Sequence, residues 1–347
     1  MDTAQTVLLT GASGVVGSAL LPELTSQNFN VLALMRRSPL SVDGIETIVG
    51  DVTSPNFGLD LQALTDEHGP ISCVIHSAAI TNFDASDEEI HKTNVEGTLN
   101  AIAVADALGA RLIYVSTAFT HDLALPPYMK EYSSYCQSKR RAESHIKESA
   151  VDYTIVRPSI VIGDSATGEI AYFQGLHNVV AALLLGIAPM LPTVPSAMID
   201  MVPQDVLSRA IAALARRGGK HREYWITRGS SASRIESAYP LLEKFLQTYK
   251  QDACLPKMVD PEVIERLFKP VFLPSLPRRL RKKLSSLVDY ACYFNLHSPF
   301  PCNYDDLVEE FDLAPMPSQE SVLWNNLTYW AEQTRFRDKV VYRDKVA

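Results

Sequence analysis

The 347-residue chain has no apolar run long enough to cross a bilayer. Its longest, Val179 to Leu191, is interrupted by Gly186 and Pro189 and falls short of the ~20 residues that a span needs. Nothing at the N-terminus reads as a signal peptide, and the five cysteines (Cys73, Cys136, Cys254, Cys292 and Cys302) form no C-x-x-C pair. These features lead us to expect free thiols in a reducing compartment, hence a cytoplasmic protein. The eight histidines are scattered without ligand spacing, so no metal is expected. There is no internal repeat and no low-complexity tract. Positive charge is also short: 32 Lys and Arg stand against 40 Asp and Glu, a formal net charge of −8. That balance argues against a general nucleic-acid binder while leaving room for local basic sites.

What is present is a globular composition, 46% hydrophobic and 21% charged. The length suits two domains, or one large α/β domain with additions. Strand and helix signals alternate through the first half. Apolar runs at Thr6–Thr10, Asn30–Met35, Ile45–Val49, Ile71–His76, Arg111–Ser116 and Tyr153–Arg157 read as strands. Helical patterns over Gly17–Leu24, Asp87–Leu108 and Tyr135–Lys147 lie between them. Near-continuous apolar strands separated by helices predict a parallel sheet covered on both faces. Right-handed crossovers then make it a Rossmann-type, doubly wound α/β fold.

After about Gly168 the rhythm changes. A helix-like segment at 170–186 leads into Pro189, Pro192 and Pro195. Met198–Val202 and Glu223–Thr227 read as strands able to rejoin the sheet, with a helix at 204–216 between them. From Ile235 the pattern is mostly helical and broken by prolines. We therefore expect a dinucleotide-binding domain over 1–168, its sheet completed by 196–230. The segments 169–195 and 231–347 would form a smaller, mostly helical substrate region.

The residues that speak most directly to chemistry come first in the chain. Thr10, Gly11, Ser13, Gly14, Val15, Val16 and Gly17 form a G-x-x-G-x-x-G loop between a strand and a helix. Glycines let the backbone turn tightly and approach a pyrophosphate, whose charge the helix N-terminus stabilises. A glycine pattern alone fits an ordinary turn; the strand–loop–helix context is what the binding motif requires. At the end of the second strand an acidic residue would bind the ribose 2′-hydroxyl of NAD. This chain has Arg36 and Arg37 there instead, suited to a 2′-phosphate, so NADPH is the expected cofactor.

Tyr135 and Lys139 are four residues apart, hence on one face of a helix. A phenol titrating near 10 is a poor proton donor and acceptor at neutral pH, and a nearby ammonium favours its ionised form. Thr117, at the tip of the fifth strand, can add a hydroxyl donor. A Y-x-x-x-K pair by itself is common on amphipathic helices; its order after the glycine loop and Thr117 gives it weight.

With these residues assembled, the chain resembles an extended short-chain dehydrogenase/reductase. Asp51 and Val52 are similar to that family's adenine contact. His76-Ser77-Ala78-Ala79 resembles its loop after the fourth strand, and Asn94 its structural helix asparagine. Val115-Ser-Thr-Ala-Phe119, Val156-Arg-Pro-Ser-Ile160 with Gly163, Thr167-Gly168 and Val202-Pro-Gln-Asp205 resemble the fatty acyl-CoA reductase and terminal thioester reductase subgroup. The likeness reaches about residue 230. It implies that Ser77, Ala78, Ala79, Asn94, Pro158 and Ile160 join the cofactor contacts. It also implies hydride transfer from NADPH to an acyl thioester, with Tyr135 protonating the oxygen, Lys139 lowering the tyrosine pKa and binding the nicotinamide ribose, and Thr117 orienting the carbonyl. The substrate would arrive on coenzyme A or an acyl carrier protein and leave as an aldehyde or alcohol.

Two other functions share these residues. One is an extended reductase or epimerase acting on a free carbonyl, an alcohol or a nucleotide sugar. The other is a dinucleotide-sensing regulator, against which an intact Thr117–Tyr135–Lys139 set argues. Cys136, next to Tyr135, points about 100° away from it on a helix and reads as a packed thiol. Trp324 and Trp330 read as core anchors of a C-terminal helix. The basic run Arg278, Arg279, Arg281, Lys282 and Lys283 reads as a solvated face, or as a contact for an anionic carrier or a membrane surface.

Overall fold

The computed structural model describes residues 4–36, 45–81, 85–122, 133–173, 175–185, 190–249, 254–275, 277–278, 281 and 295–336. Arg37, Arg279, Lys282, Lys283 and Cys292 lie outside them. In chain order the first half contains β1 (Gln5–Thr10), α1 (Val15–Ser26), β2 (Phe29–Met35), β3 (Ile45–Val49), α2 (Leu61–His68), β4 (Ile71–His76) and α3 (Asp87–Ile90). A π-helical stretch, His91–Glu96, joins α3 to α4 (Gly97–Leu108), and β5 (Arg111–Val115), α5 (Ser134–Glu148) and β6 (Tyr153–Pro158) follow. The second half contains β7 (Ile160–Ile162), α6 (Gly175–Leu184), β8 (Leu191–Pro192), β9 (Met198–Ile199), β10 (Met201–Pro203), α7 (Gln204–Arg217) and β11 (Glu223–Ile226). It ends with β12 (Ser233–Arg234), α8 (Ile235–Gln247), β13 (Met258–Val259), α9 (Pro261–Val263), α10 (Tyr304–Phe311) and α11 (Gln319–Gln333).

Seven strands form one sheet in the order β11-β6-β5-β4-β1-β2-β3, every pair parallel. This is the Rossmann-type doubly wound order with one strand added at the β6 edge. The alternation of strand side chains sends Val7 and Leu9 to one face and Leu8 to the other. Val7 and Leu9 pack with Leu20 and Leu24 of α1 and Ile211 of α7, whereas Leu8 packs with Ala101 and Val104 of α4 and Ile146 of α5. Both faces are thus covered, which is why the strands read as unbroken apolar runs.

Of the two later stretches read as strands, Glu223–Ile226 pairs with β6 at the sheet edge. The other, Met198–Val202, divides into β9 and β10, which pair with β12 and β7 outside the seven-stranded sheet. Asp200 lies at the division. It is fully buried, and its carboxylate accepts hydrogen bonds from the backbone N–H groups of Arg228 and Gly229. An acceptor turned inward this way satisfies neighbouring amides rather than continuing a ladder.

A second apolar cluster gathers α6, α8 and α11 through Leu176, Leu183, Phe245, Val322 and Trp330, with Trp324 packed on it. A small cluster, Ala118, Phe119, Cys136, Met198, Leu296 and Phe300, lies against Tyr135, Ile160 and Trp225.

Candidate active site

Strand order reverses at β1, between β2 and β4, and ligands of such sheets bind outside the strand ends at that point. The glycine loop occupies it. Gly11 has φ +73°, and a Cβ there would lie 2.6 Å from the Ala78 nitrogen. A Cβ on Gly17 would lie 2.1 Å from the Gly11 carbonyl oxygen. Gly11 must therefore be glycine for the loop to pack against the segment after β4, and Gly17 must be glycine for α1 to lie against the loop's own backbone. Gly14 donates to the Gly11 carbonyl at 2.9 Å and caps α1 with no side-chain hydrogen bond to its first turn. That leaves the first amides of α1 for an anionic ligand, beside exposed Ser13 and half-buried Val15 and Val16. The loop fits a dinucleotide pyrophosphate.

Thr10 ties this loop to its neighbour. Its hydroxyl hydrogen-bonds His76 Nδ1 at 2.8 Å and accepts from the Ala78 amide at 3.3 Å, and its carbonyl accepts from Ser77. His76 is wholly buried, stacked between Phe57 and Tyr114, and its Nε2 has no hydrogen-bond partner among the described residues. Burial, helped by the Lys139 charge, pushes its pKa down to about 3, so the ring is neutral. Ser77, Ala78 and Ala79 are half-buried at the loop surface.

At the β2–β3 side, Arg36 is exposed just past β2. Asp51 follows β3 and accepts from the Thr53 amide and hydroxyl, both at 2.9 Å. Burial alone would raise its pKa, but these bonds and the charges of Arg36 and Lys92 hold it below the usual value. Val52 is buried against Gly97. Asn94, within the π-helical stretch, uses its whole amide locally. It accepts from the Ile80 amide at 2.8 Å and donates to the Ile80 carbonyl and Ser138 Oγ at 3.0 and 2.9 Å. This fastens the segment after β4 to α5, a positioning arrangement, and leaves neither amide hydrogen for a cofactor.

Across the sheet, Thr117 caps the turn after β5 and hydrogen-bonds the Tyr135 phenol from α5. Ser133 caps α5 by accepting from the Cys136 amide at 3.3 Å, which sets Tyr135 in the first turn. Lys139, one turn on, is 2% exposed; its Nζ donates to the Val115 carbonyl at 2.7 Å and lies 4.6 Å from the Tyr114 ring centroid. Burial lowers the Lys139 pKa to about 7, against the pull of Glu143. Burial and the Cys136 thiol raise that of Tyr135, and the Thr117 hydrogen bond opposes them. The tyrosine shift is thus opposite to the lowering expected from Lys139. The reason is local: the ammonium is aimed at Val115, and burial dominates at the phenol. Cys136 itself is buried in the apolar cluster beside Phe119.

The pattern of residues gave no hint of what lies below this pair. Glu143 is 6% exposed. It accepts from Ser116 Oγ at 2.5 Å and from Arg157 Nε and Nη2 at 2.9 and 2.6 Å. Arg157 continues to Glu223 at 2.6 Å, which also meets Lys147 at 2.8 Å. Tyr135, Lys139, Glu143 and Lys147 recur every four residues, a signal for one helix face but not for its burial. Pro158 is buried at the end of β6, and half-buried Ile160 packs on the cluster that holds Tyr135. Thr10–Gly17, 77–79, Thr117, Tyr135 and Lys139 therefore all lie at the ends of β1, β4 and β5 or on the helix beside them. Arg36 and Asp51 sit apart at the β2–β3 end, and Asn94 beneath.

This fold order and glycine loop define an extended short-chain dehydrogenase/reductase. Residues 39–211, beginning after the glycine loop, match the family described as Male sterility protein, and the chain belongs to that NAD-binding male sterility/thioester reductase family. The chain is 30% identical over 174 residues to a 2-alkyl-3-oxoalkanoate reductase of Stenotrophomonas maltophilia, covering 45% of this chain and 51% of that protein. It is 26% identical over 267 residues to the L-2-aminoadipate reductase large subunit of Penicillium chrysogenum, covering 62% of this chain and 19% of that protein. The chain thus spans about half of the first relative and a smaller share of the second. In structure it is similar to the terminal R domain from the myxalamid PKS-NRPS pathway, with TM-score 0.70 and 22% identity over 96% of this chain and 92% of that one. The family binds a nicotinamide dinucleotide. Among the described residues no helix is long and apolar enough to cross a membrane.

Proposed function

We propose that the protein is an NADPH-dependent reductase of acyl thioesters, yielding an aldehyde or alcohol. The observation that carries this is the Thr117–Tyr135 hydrogen bond, held beside the glycine loop with Lys139 one turn behind. The family match and the likeness to an aminoadipate reductase subunit favour a thioester over other carbonyls. Exposed Arg36, with Arg37 after it in sequence, favours a 2′-phosphate.

When bound, the cofactor supplies a hydride to the carbonyl carbon. Thr10–Gly17 would hold its pyrophosphate and Lys139 its nicotinamide ribose. Thr117 orients the carbonyl oxygen, and the Tyr135 phenol donates the proton that the oxygen acquires. A phenol whose pKa is raised stays protonated at neutral pH, the state a donor needs. Scission of the carbon–sulfur bond then releases a thiol and an aldehyde. In this reading 1–168, its sheet completed by β11 alone of the segment 196–230, serves the dinucleotide, and 169–195 with 231–347, joined by Ile199 and Met201, serves the substrate. Among the described residues Cys73, Cys136, Cys254 and Cys302 form no disulfide, which suits a reducing, cytoplasmic setting. The partner is coenzyme A or an acyl carrier protein.

Incubation with NADPH and either acyl-CoA or acyl-loaded carrier protein tests this reading. Cofactor oxidation matched by free thiol is the expected result. Oxidation only with thiol-free ketones or aldehydes would replace it with a second reading, a free-carbonyl reductase, which the 30% identity to the 2-alkyl-3-oxoalkanoate reductase favours.

A further inference from the structure

Three consecutive residues at the end of β5 and just past it are each held by a different turn of α5. Thr117 hydrogen-bonds the Tyr135 phenol, the Val115 carbonyl accepts from Lys139 Nζ at 2.7 Å, and Ser116 Oγ donates to Glu143 Oε1 at 2.5 Å. The Thr120 hydroxyl, which donates to the Thr117 carbonyl at 2.9 Å, lies 3.4 Å from the same Glu143 oxygen. Glu143 therefore meets this short segment on both sides of Thr117.

Glu143 is in turn fixed from β6. Arg157 donates to both of its oxygens, through Nε at 2.9 Å and Nη2 at 2.6 Å, and the guanidinium lies 4.5 Å from the Trp225 ring centroid. A two-point contact sets the plane of the carboxylate as well as its position. Holding α5 to the sheet does not itself call for such a pair, since well-packed apolar residues of similar volume often serve as well or better. An apolar pair could not give Ser116 a hydrogen bond of defined direction.

We propose that Glu143, seated by Arg157, is a positioning residue: through Ser116 it sets the strand end so that Thr117 meets Tyr135 and Val115 meets Lys139. The inference rests on the reductase reading above for the reaction that this geometry serves. The negative charge of Glu143 acts on the same pair by favouring the Lys139 ammonium. The other titratable groups facing Lys139 are Tyr135 from its own helix, His76 from β4 and Tyr114 from β5. Burial keeps His76 neutral and holds both phenols protonated. Glu143 is faced by Arg157, with Glu223 of β11 and Lys147 beyond it.

The test begins with Ser116→Ala in the full chain, which removes the link and leaves the Glu143–Arg157 pair in place. Turnover of an acyl thioester should fall roughly 10–100-fold, with the KM for NADPH within about twofold of the wild type. Glu143→Gln should lower kcat likewise and add a second change. Losing the carboxylate charge disfavours the ammonium, so the alkaline limb of the kcat profile moves to lower pH. Ser116→Ala should leave that limb in place, and Glu143→Asp should return it. A purely structural pair would move neither kcat nor the limb in folded variants, and that result would overturn the proposal. A further readout needs no substrate. In protein carrying 13C at the tyrosine ζ carbon, the Tyr135 resonance, assigned through Tyr135→Phe, should shift in Ser116→Ala. A shift in a protein that reduces no thioester would uphold the positioning role and overturn the reductase reading. An unshifted resonance would overturn the positioning role whatever the wild type reduces. Should Glu143→Gln fail to fold, Ser116→Ala and this resonance decide.

Discussion

The glycine loop and the apolar cavity between α6 and α8, lined by Leu176, Val180, Leu183, Ala238 and Leu242, are built from opposite materials. The loop offers a ligand only backbone: Gly11 and Gly17 admit no Cβ, and α1 begins with uncapped amides. The cavity is walled by side chains alone, and its two lining hydroxyls are turned to carbonyls. Backbone recognition leaves few sequence solutions, because only glycine fits. Hydrocarbon recognition leaves many, because any aliphatic set of the right volume serves. One region is therefore written in a short motif and the other is dispersed from Leu176 to Leu323.

The largest expected effect lies with the groups that would act on the reacting carbonyl. Tyr135→Phe keeps the ring and its packing but deletes the proton donor. Turnover should fall by roughly 10²–10⁴-fold for every acyl length, with NADPH affinity retained. A loss confined to long chains would place Tyr135 in the apolar region and transfer the acid role to another group.

A second expectation concerns stability on the polar side. Glu143→Gln leaves the Arg157 guanidinium, 3% exposed, without its bidentate carboxylate. Breaking a buried pair in this way costs about 3–5 kcal/mol, measurable by urea unfolding. The remaining Arg157–Glu223 contact at 2.6 Å is half-exposed and recovers only part of this. A variant as stable as the wild type would show that Ser116, Glu143 and Arg157 form a contact of no energetic weight.

A smaller effect separates the regions by pH. The Lys139 pKa is lowered to about 7 from 10.5 by burial. Between those values the unfolded chain binds more protons than the folded one, so this group makes stability rise with pH across that window. Lys139→Met should flatten the rise between pH 7 and 9 in urea unfolding, whereas Leu242→Ala, in the cavity wall, should lower stability equally at both. An unchanged slope in Lys139→Met would mean that Lys139 is charged in the folded protein.

Much of the sheet could be read from sequence because strands covered on both faces have little choice but to be apolar throughout. The site was legible where backbone or spacing constrained it: the glycine loop, Thr117, and Tyr135 with Lys139. The Glu143–Arg157 pair was not, since Lys139, Glu143 and Lys147 at four-residue spacing look like an exposed ion-pair ladder. Burial of the first two follows only from how α5 lies on the sheet. The direction of the Tyr135 shift was missed for a related reason. Spacing places Lys139 on the same face but does not tell that its ammonium donates to Val115. Met198–Val202 looked like one strand because a single Asp200 in an apolar run carries no sign that it will turn inward to serve Arg228 and Gly229.

The last and smallest expectation tests how the cradle chooses its dinucleotide. Arg36 is exposed just beyond β2, and its charge reaches Asp51, whose carboxyl is already engaged by Thr53. Both Thr53 bonds fall on Asp51 Oδ1, and the charges that reach this carboxyl, from Arg36 and Lys92, are positive. A charge-assisted contact of an arginine with a phosphate contributes about 1.5–3 kcal/mol. Exposure at Arg36 puts the effect at the lower end, on the order of tenfold in affinity. Changing Arg36 and Arg37 together to alanine should raise the Kd for NADPH by that factor or more and leave NADH nearly unaltered, as read by cofactor fluorescence titration. Raising the salt concentration should erode the wild-type preference in the same direction, because the contact is screened. Equal losses for the two cofactors would remove the 2′-phosphate argument.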